Sequence, residues 1–74
     1  MELLNNIDKI HTTPMGEVRI KKNLNIDTDV IKYCIDIIKK SNITKKGKNY
    51  YCEYNNIIIT VNSYSYTIIT AHLK

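Results

Sequence analysis

The sequence predicts an α+β fold, with two to three N-terminal helices packed on one face of a three- to four-stranded antiparallel sheet. Three observations lead there. Apolar residues recur at helical spacing as far as Lys40, the period then changes to strand-like runs, and those runs are separated by Gly, Asn-Asn and Asn-Ser breaks. A layout of helices followed by strands is the mark of helices laid on one side of an antiparallel sheet. With 74 residues the chain is expected to form one small domain over residues 1–74.

Leu3, Leu4, Ile7 and Ile10 lie at helical spacing, so residues 3–10 read as a short amphipathic helix. His11-Thr12-Thr13-Pro14 ends it, because a residue before Pro avoids the helical region. Pro is favoured at the first helical position, which makes Thr13 the expected N-cap of a second helix over about residues 14–23. Met15, Val18 and Leu24 are expected to face inward, with Arg19, Lys21 and Lys22 on another side. Asp27 is the expected cap of a third helix over about residues 28–40, and Asp29 sits in its first turn, where the helix dipole favours an acid. Its apolar stripe is Val30, Ile31, Cys34, Ile35 and Ile38, and Lys39 and Lys40 suit its C-terminal end.

Residues 43–45 can form a short strand, and 46–49 have turn character. Residues 50–54 and 57–61 flank Asn55-Asn56, and Asn tolerates the positive φ that a two-residue hairpin turn needs. A second turn falls at 62–65 and a last strand at 66–72. A two-residue turn at Asn55-Asn56 sets the register. Tyr54 then pairs with Ile57, Cys52 with Ile59 and Tyr50 with Val61, and all six point to the core. On the last strand Thr67, Ile69, Ala71 and Leu73 form the more apolar set. Matching like with like leaves Tyr51, Glu53, Thr60, Asn62, Tyr66, Thr70 and His72 on a solvent-facing surface, together with Ile58 and Ile68.

Composition narrows the possible roles. The formal net charge is +4 and apolar residues are 43%, too many for a disordered tail. No run approaches the length of a membrane span, and the opening residues lack the pattern of a secretory leader. A cytoplasmic protein without a membrane role is therefore expected, with Cys34 and Cys52 as buried reduced thiols. His11 and His72 stand alone and no Cys-x-x-Cys pair occurs, so neither a metal nor another cofactor is expected. All six aromatic residues are Tyr, and Ile, Asn and Lys are abundant, a bias of AT-rich bacterial or mobile-element genomes.

The residues that can carry chemistry are few. A metal-independent ribonuclease needs a base for the 2′-hydroxyl, an acid for the leaving oxygen and a cation for the phosphorane. His11, Arg19, Lys46, Thr70 and His72 are the catalytic candidates. Lys21, Lys22, Lys45, Lys48, Tyr51, Asn62 and Tyr66 are the candidates for binding RNA or another partner, through phosphate contacts and base stacking. No nucleophile elbow, phosphate loop, zincin helix or paired-carboxylate motif occurs.

Two segments carry a resemblance. His11-Thr12-Thr13 with Gly16, Arg19-Ile20 and Asn23-Leu24 is the first. Residues 46–51, then 59–62 and 65–72, form the second. Together they resemble a family of small, roughly chain-length proteins of unknown function from low-GC Gram-positive bacteria. Pro14 departs from the acidic residue common there. The helices, the small sheet and the late strand containing Ile68-Ile69-Thr70-Ala71 are also similar to the RelE/barnase/colicin-D-like RNase superfamily. That second resemblance implies a site drawn from His11, Arg19, Lys46, Asn62, Thr70 and His72.

Two functions follow as expectations. One is a small basic RNA-binding protein acting as a toxin-like, metal-independent ribonuclease. The other is a non-catalytic phage or mobile-element inhibitor of host defence, anti-CRISPR-like, that binds a host protein. Either is compatible with a homodimer, paired through Tyr51, Ile58 and Ile68.

Overall fold

A computed structural model describes residues 2–74 of the chain, and Met1 lies outside them. It is an α+β fold. The elements are α1 (Glu2–Asn5), a 3-10 turn (Ile7–Lys9), α2 (Pro14–Leu24), α3 (Val30–Lys40), β1 (Asn42–Lys46), β2 (Asn49–Tyr54), β3 (Ile57–Asn62) and β4 (Ile68–Leu73). The four strands form an antiparallel meander in the order β1-β2-β3-β4. Helix α2 packs on β4 and α3 on β2, so the helices cover one face of the sheet.

The first expected helix divides in two. A turn at Asn6 separates α1 from the 3-10 segment, which lets Leu3 and Ile10 both reach the core while Leu4 stays exposed. Helix α2 begins as its sequence implies. The Thr13 hydroxyl accepts a hydrogen bond from the Gly16 N–H at 3.0 Å, and Pro14 occupies the first turn. The helix ends at Asn25 in the left-handed region, φ 54°. Its inward face differs from the expected one. Ile20 and Leu24 are buried, whereas Met15 and Val18 are exposed. Ile20 and Leu24 lie one turn apart and form the buried stripe, with Gly16 in line with them, so Met15 and Val18 fall on the opposite side. A side chain at Gly16 would collide with the Thr12 hydroxyl.

Asp29, not Asp27, caps α3, its carboxylate accepting from the Lys32 N–H at 3.1 Å. Val30, Cys34 and Ile38 are buried beneath the helix, and Ile31 and Ile35 pack at its margins. The β1–β2 hairpin turns on Gly47, φ 62°, followed by Lys48, whose φ is not positive. That is a type II′ turn, which favours Gly at its first position. The β2–β3 hairpin turns on Asn55 and Asn56, φ 47° and 68°, the two left-handed residues of a type I′ turn. Its register is Tyr54 with Ile57, Cys52 with Ile59 and Tyr50 with Val61, and the last four of these residues are fully or almost fully buried.

Strand β4 departs from the expected alternation. Its pairing with β3 holds from Ile57–Leu73 to Thr60–Thr70, then slips, so that Val61 faces Ile68 and Ile69 is the extra residue of a bulge. The slip turns Ile68 into the core at 3% exposure and leaves Ile69 53% exposed, the reverse of the expected assignment. Ile68 therefore does not belong to the open face and is not available to a homodimer seam. The core joins Leu3 and Ile10 to α2, α3 and the inner face of β2, β3 and β4. Cys34 and Cys52 are both free and both inside it.

Candidate nucleic-acid interface

The registers fix what the helix-free face of the sheet carries. One row across the strands is Thr44, Tyr51, Thr60 and Thr70, and the next is Asn42, Glu53, Ile58 and His72. At the end of the sheet Lys46 faces Asn49, which faces Asn62. Tyr51 is 37% exposed at the centre of this surface. Thr60 beside it is buried, and Thr70 and His72 are half-buried. Glu53 is held in an ion pair by Lys74. The His72 Nδ1 lies 3.0 Å from the Leu73 carbonyl.

The same end of the sheet gathers residues that are far apart in sequence. The end of β1 carries Lys45 and Lys46 and the β1–β2 turn carries Lys48, all exposed. The loop after β3 is tied to that turn, because the Ser63 N–H donates to the Lys48 carbonyl at 2.7 Å. Asn62 organises the loop: its side-chain oxygen accepts from the Tyr64 and Ser65 N–H groups at 2.9 Å each. Tyr66 sits in the left-handed region, φ 59°, a costly place for a bulky residue. It is held there by donating its N–H to the Asn62 carbonyl, 2.9 Å, and accepting at its own carbonyl from the His11 N–H, 3.2 Å. The Lys9 ammonium lies over its ring, 6.0 Å from the centroid.

His11 reaches this loop through a short parallel bridge to Thr67, and its carbonyl accepts from the Ile68 N–H at 2.7 Å. Its ring is engaged on both sides. Nδ1 lies 2.9 Å from the Lys9 carbonyl, which can only accept, so Nδ1 carries the proton in the neutral ring. Nε2 then accepts from the Thr67 hydroxyl, 3.0 Å away. The Ser65 hydroxyl, 2.8 Å from the Thr67 oxygen, completes the chain. Chemically this is a hydroxyl, an imidazole and an orienting carbonyl in series, and it joins the N-terminal segment to the last strand.

The sequence-derived candidates thus fall into three groups. His11, Lys45, Lys46, Lys48, Asn62 and Tyr66 share the end of the sheet. Tyr51, Thr70 and His72 share the open face. Arg19, Lys21 and Lys22 lie on α2, with Lys21 paired to Glu17 at 3.8 Å. His11 and His72 are not together: His72 lies five residues along the chain from Thr67, about 15 Å at strand spacing. Thr67, Ser65 and Lys9 join the His11 group without having been candidates. The alternating hydroxyls of Ser63-Tyr64-Ser65-Tyr66-Thr67 are visible in the sequence, but nothing local reveals that His11 lies against them.

A family model describing a protein of unknown function, DUF3781, matches residues 4–72. The chain belongs to that family. Among curated proteins and among solved structures, nothing matches it. The matched span of this DUF3781 chain takes in both the His11 bridge and the whole sheet apart from the end of β4. Among its described residues no group of three or more His, Cys, Asp or Glu can hold a metal, and no helix is long and apolar enough to cross a membrane.

The His11 arrangement has a measurable consequence. Thr67→Val keeps the shape of the side chain and removes the hydroxyl between His11 and Ser65. It is expected to cost about 1 kcal/mol, the usual net value of a hydrogen bond, and so to lower the melting temperature by roughly 4–8 °C. Thermal melts by circular dichroism check this, and an unchanged melting temperature would show that the bond contributes nothing.

Proposed function

We propose that the chain binds single-stranded RNA across the open face of its sheet, with bases stacked on Tyr51 and phosphates at the lysine-rich end. The observation that carries this reading is the continuity of one helix-free surface. It runs from Tyr51 and its threonine row to Lys46, with Lys48 on the adjoining turn and Lys45, exposed at the same end of β1, on the other face of the strand. A sheet offering an aromatic platform beside cations suits single strands, whose bases are free to stack. The formal charge of +4 favours such a partner.

Cleavage is a separate matter. The acid and the base of one transesterification must both reach a single phosphodiester. With about 15 Å of strand between them, His11 and His72 do not serve one phosphate together. A toxin-like ribonuclease on this scaffold would draw on one histidine and its neighbours: either His11 with Lys46 or Lys48, or His72 with Thr70.

The experiment is a titration of a fluorescent 12-nucleotide RNA in EDTA, with total bacterial RNA run on a gel in parallel. Tyr51→Ala is expected to weaken binding about tenfold, within the range of one lost stacking partner. Lys46→Glu with Lys48→Glu is expected to weaken it further. It should also flatten the salt dependence by about 0.7 in log–log slope for each lost phosphate contact. Cleavage lost in His11→Ala or in His72→Ala would extend the reading to a metal-independent ribonuclease and identify its histidine. Neither binding nor cleavage would overturn it in favour of a non-catalytic, anti-CRISPR-like inhibitor of host defence.

A further inference from the structure

The outer side of α2 carries two exposed apolar side chains beside a hollow. Met15 and Val18 are 69% and 66% exposed. Three residues apart, they are neighbours on the helix surface. With Pro14 and Arg19 they line a shallow hollow of about 310 Å³. Lys22 follows Val18 by one turn. The charges beside the hollow are thus cationic, Arg19 and Lys22. The acid of this helix, Glu17, lies round toward its other flank and is engaged by Lys21. None of this comes from the packing of α2 on the sheet, which uses Ile20 and Leu24.

We infer that this face of α2 docks an acidic amphipathic helix of a partner protein. Apolar residues of such a helix would seat between Met15 and Val18, and its flanking carboxylates would meet Arg19 and Lys22. Charge selects this occupant over a second copy of the chain. A second copy would bring the same cations, Arg19 and Lys22, to the seam and no free carboxylate to meet them, since the acid of its α2, Glu17, is engaged by Lys21. RNA is disfavoured as well, because the hollow is aliphatic and has no aromatic ring on which a base can stack. The flexible Met15 side chain suits a surface that adapts to its partner. The area is that of a single helix face, so the complex belongs to the small, transient class of interfaces.

The test uses two displayed libraries of helical 16-residue peptides. Both carry four apolar positions on one side, one library with Glu and Asp on the flanks and the other with Lys and Arg. Selection on the whole chain is expected to enrich binders from the acidic library alone. Peptides so selected should lose at least tenfold in affinity against Val18→Glu and against Arg19→Glu. They should also shift the backbone amide signals of residues 15–22 in a saturable titration. No enrichment from the acidic library, or binders whose affinity ignores both substitutions, would overturn the inference. So would light scattering that shows a dimer dispersed by Val18→Glu, since a second copy would then be the occupant. Circular dichroism of the two variants confirms that they remain folded, as expected for exposed positions.

Discussion

Ile59→Ala is expected to remove about 3 kcal/mol of stability. Ile59 is fully buried on β3, an interior strand, where it pairs with Cys52 on one side and Ala71 on the other. Truncating a buried Ile costs about 2–5 kcal/mol, because the lost transfer free energy is joined by the penalty of a cavity. The top of that range needs a rigid surround, and Ile59 has strands on both sides and helices above. A chain of this length holds roughly 4–11 kcal/mol in total, so the variant should lose a quarter or more of its stability and melt about 15 °C lower.

The neighbouring pair Ile68 and Ile69 supplies the internal comparison. Ile68→Ala is expected to cost about 2 kcal/mol and Ile69→Ala within about 0.5 kcal/mol, since one side chain is inside and the other is in water. Urea denaturation of the three variants measures all of this. Equal costs at 68 and 69 would contradict the bulge.

The second large effect is alkaline. The Cys34 and Cys52 thiols are each pushed up to about 11, in both cases chiefly by burial, with a hydrogen bond from Ser41 partly opposing it at Cys52. The folded chain therefore holds both protons well above the value of 9.0 at which free thiols release theirs. Below pH 9 folded and unfolded chains are equally protonated at these positions, and the buried neutral thiols are fully compatible with the fold. As pH rises from about 9 toward 11 the unfolded chain sheds thiol protons that the folded chain keeps, and stability falls. The loss is on the order of 2 kcal/mol per thiol by pH 11. Tyr50 acts in the same direction, raised first by its burial and then by the charge of Glu2, whose carboxylate accepts from its hydroxyl at 3.5 Å. The measurement is the urea midpoint at pH 7, 9 and 10.5 for the wild type and for Cys34→Ala with Cys52→Ala. The wild-type midpoint should fall more steeply than that of the double variant. Parallel curves would show that the thiols do not contribute.

Much of the fold can be read from local signals. Thr13-Pro14, the stripe from Val30 to Ile38 and the Asn55-Asn56 pair each specify a feature through their own backbone chemistry, and the β2–β3 register follows from the turn without further input. The departures have physical causes too. Apolar residues at helical spacing normally face inward, as Met15 and Val18 would, but Ile20 and Leu24, one turn apart, form the buried stripe instead, and Gly16 in line with them leaves room for the Thr12 hydroxyl. Strict alternation misassigns the first residues of β4, because it cannot register a bulge. In Ile68-Ile69 the two chemically identical neighbours leave the sequence silent about which one turns in. The cap of α3 lies two residues from the expected place because Asp27 and Asp29 are equally able caps.

The candidate site is legible in its parts rather than in its grouping. The lysines around the β1–β2 turn and Tyr51 can be assigned to a strand end and to an open face by counting residues. The partition of His11 from His72 cannot, since it depends on a bridge between His11 and Thr67, far apart in the chain.

That bridge also bears on the order in which the protein can be assembled. The strands of the meander pair with their chain neighbours, and such local pairings form early. His11, by contrast, waits for Tyr66, Thr67 and Ile68, which are made late. During synthesis the His11 backbone therefore has no partner until residues 66–68 have emerged. The bridge ties early-made residues to late ones, the contact of greatest sequence separation in the fold's N-terminal segment, and so the one with the largest loop to close.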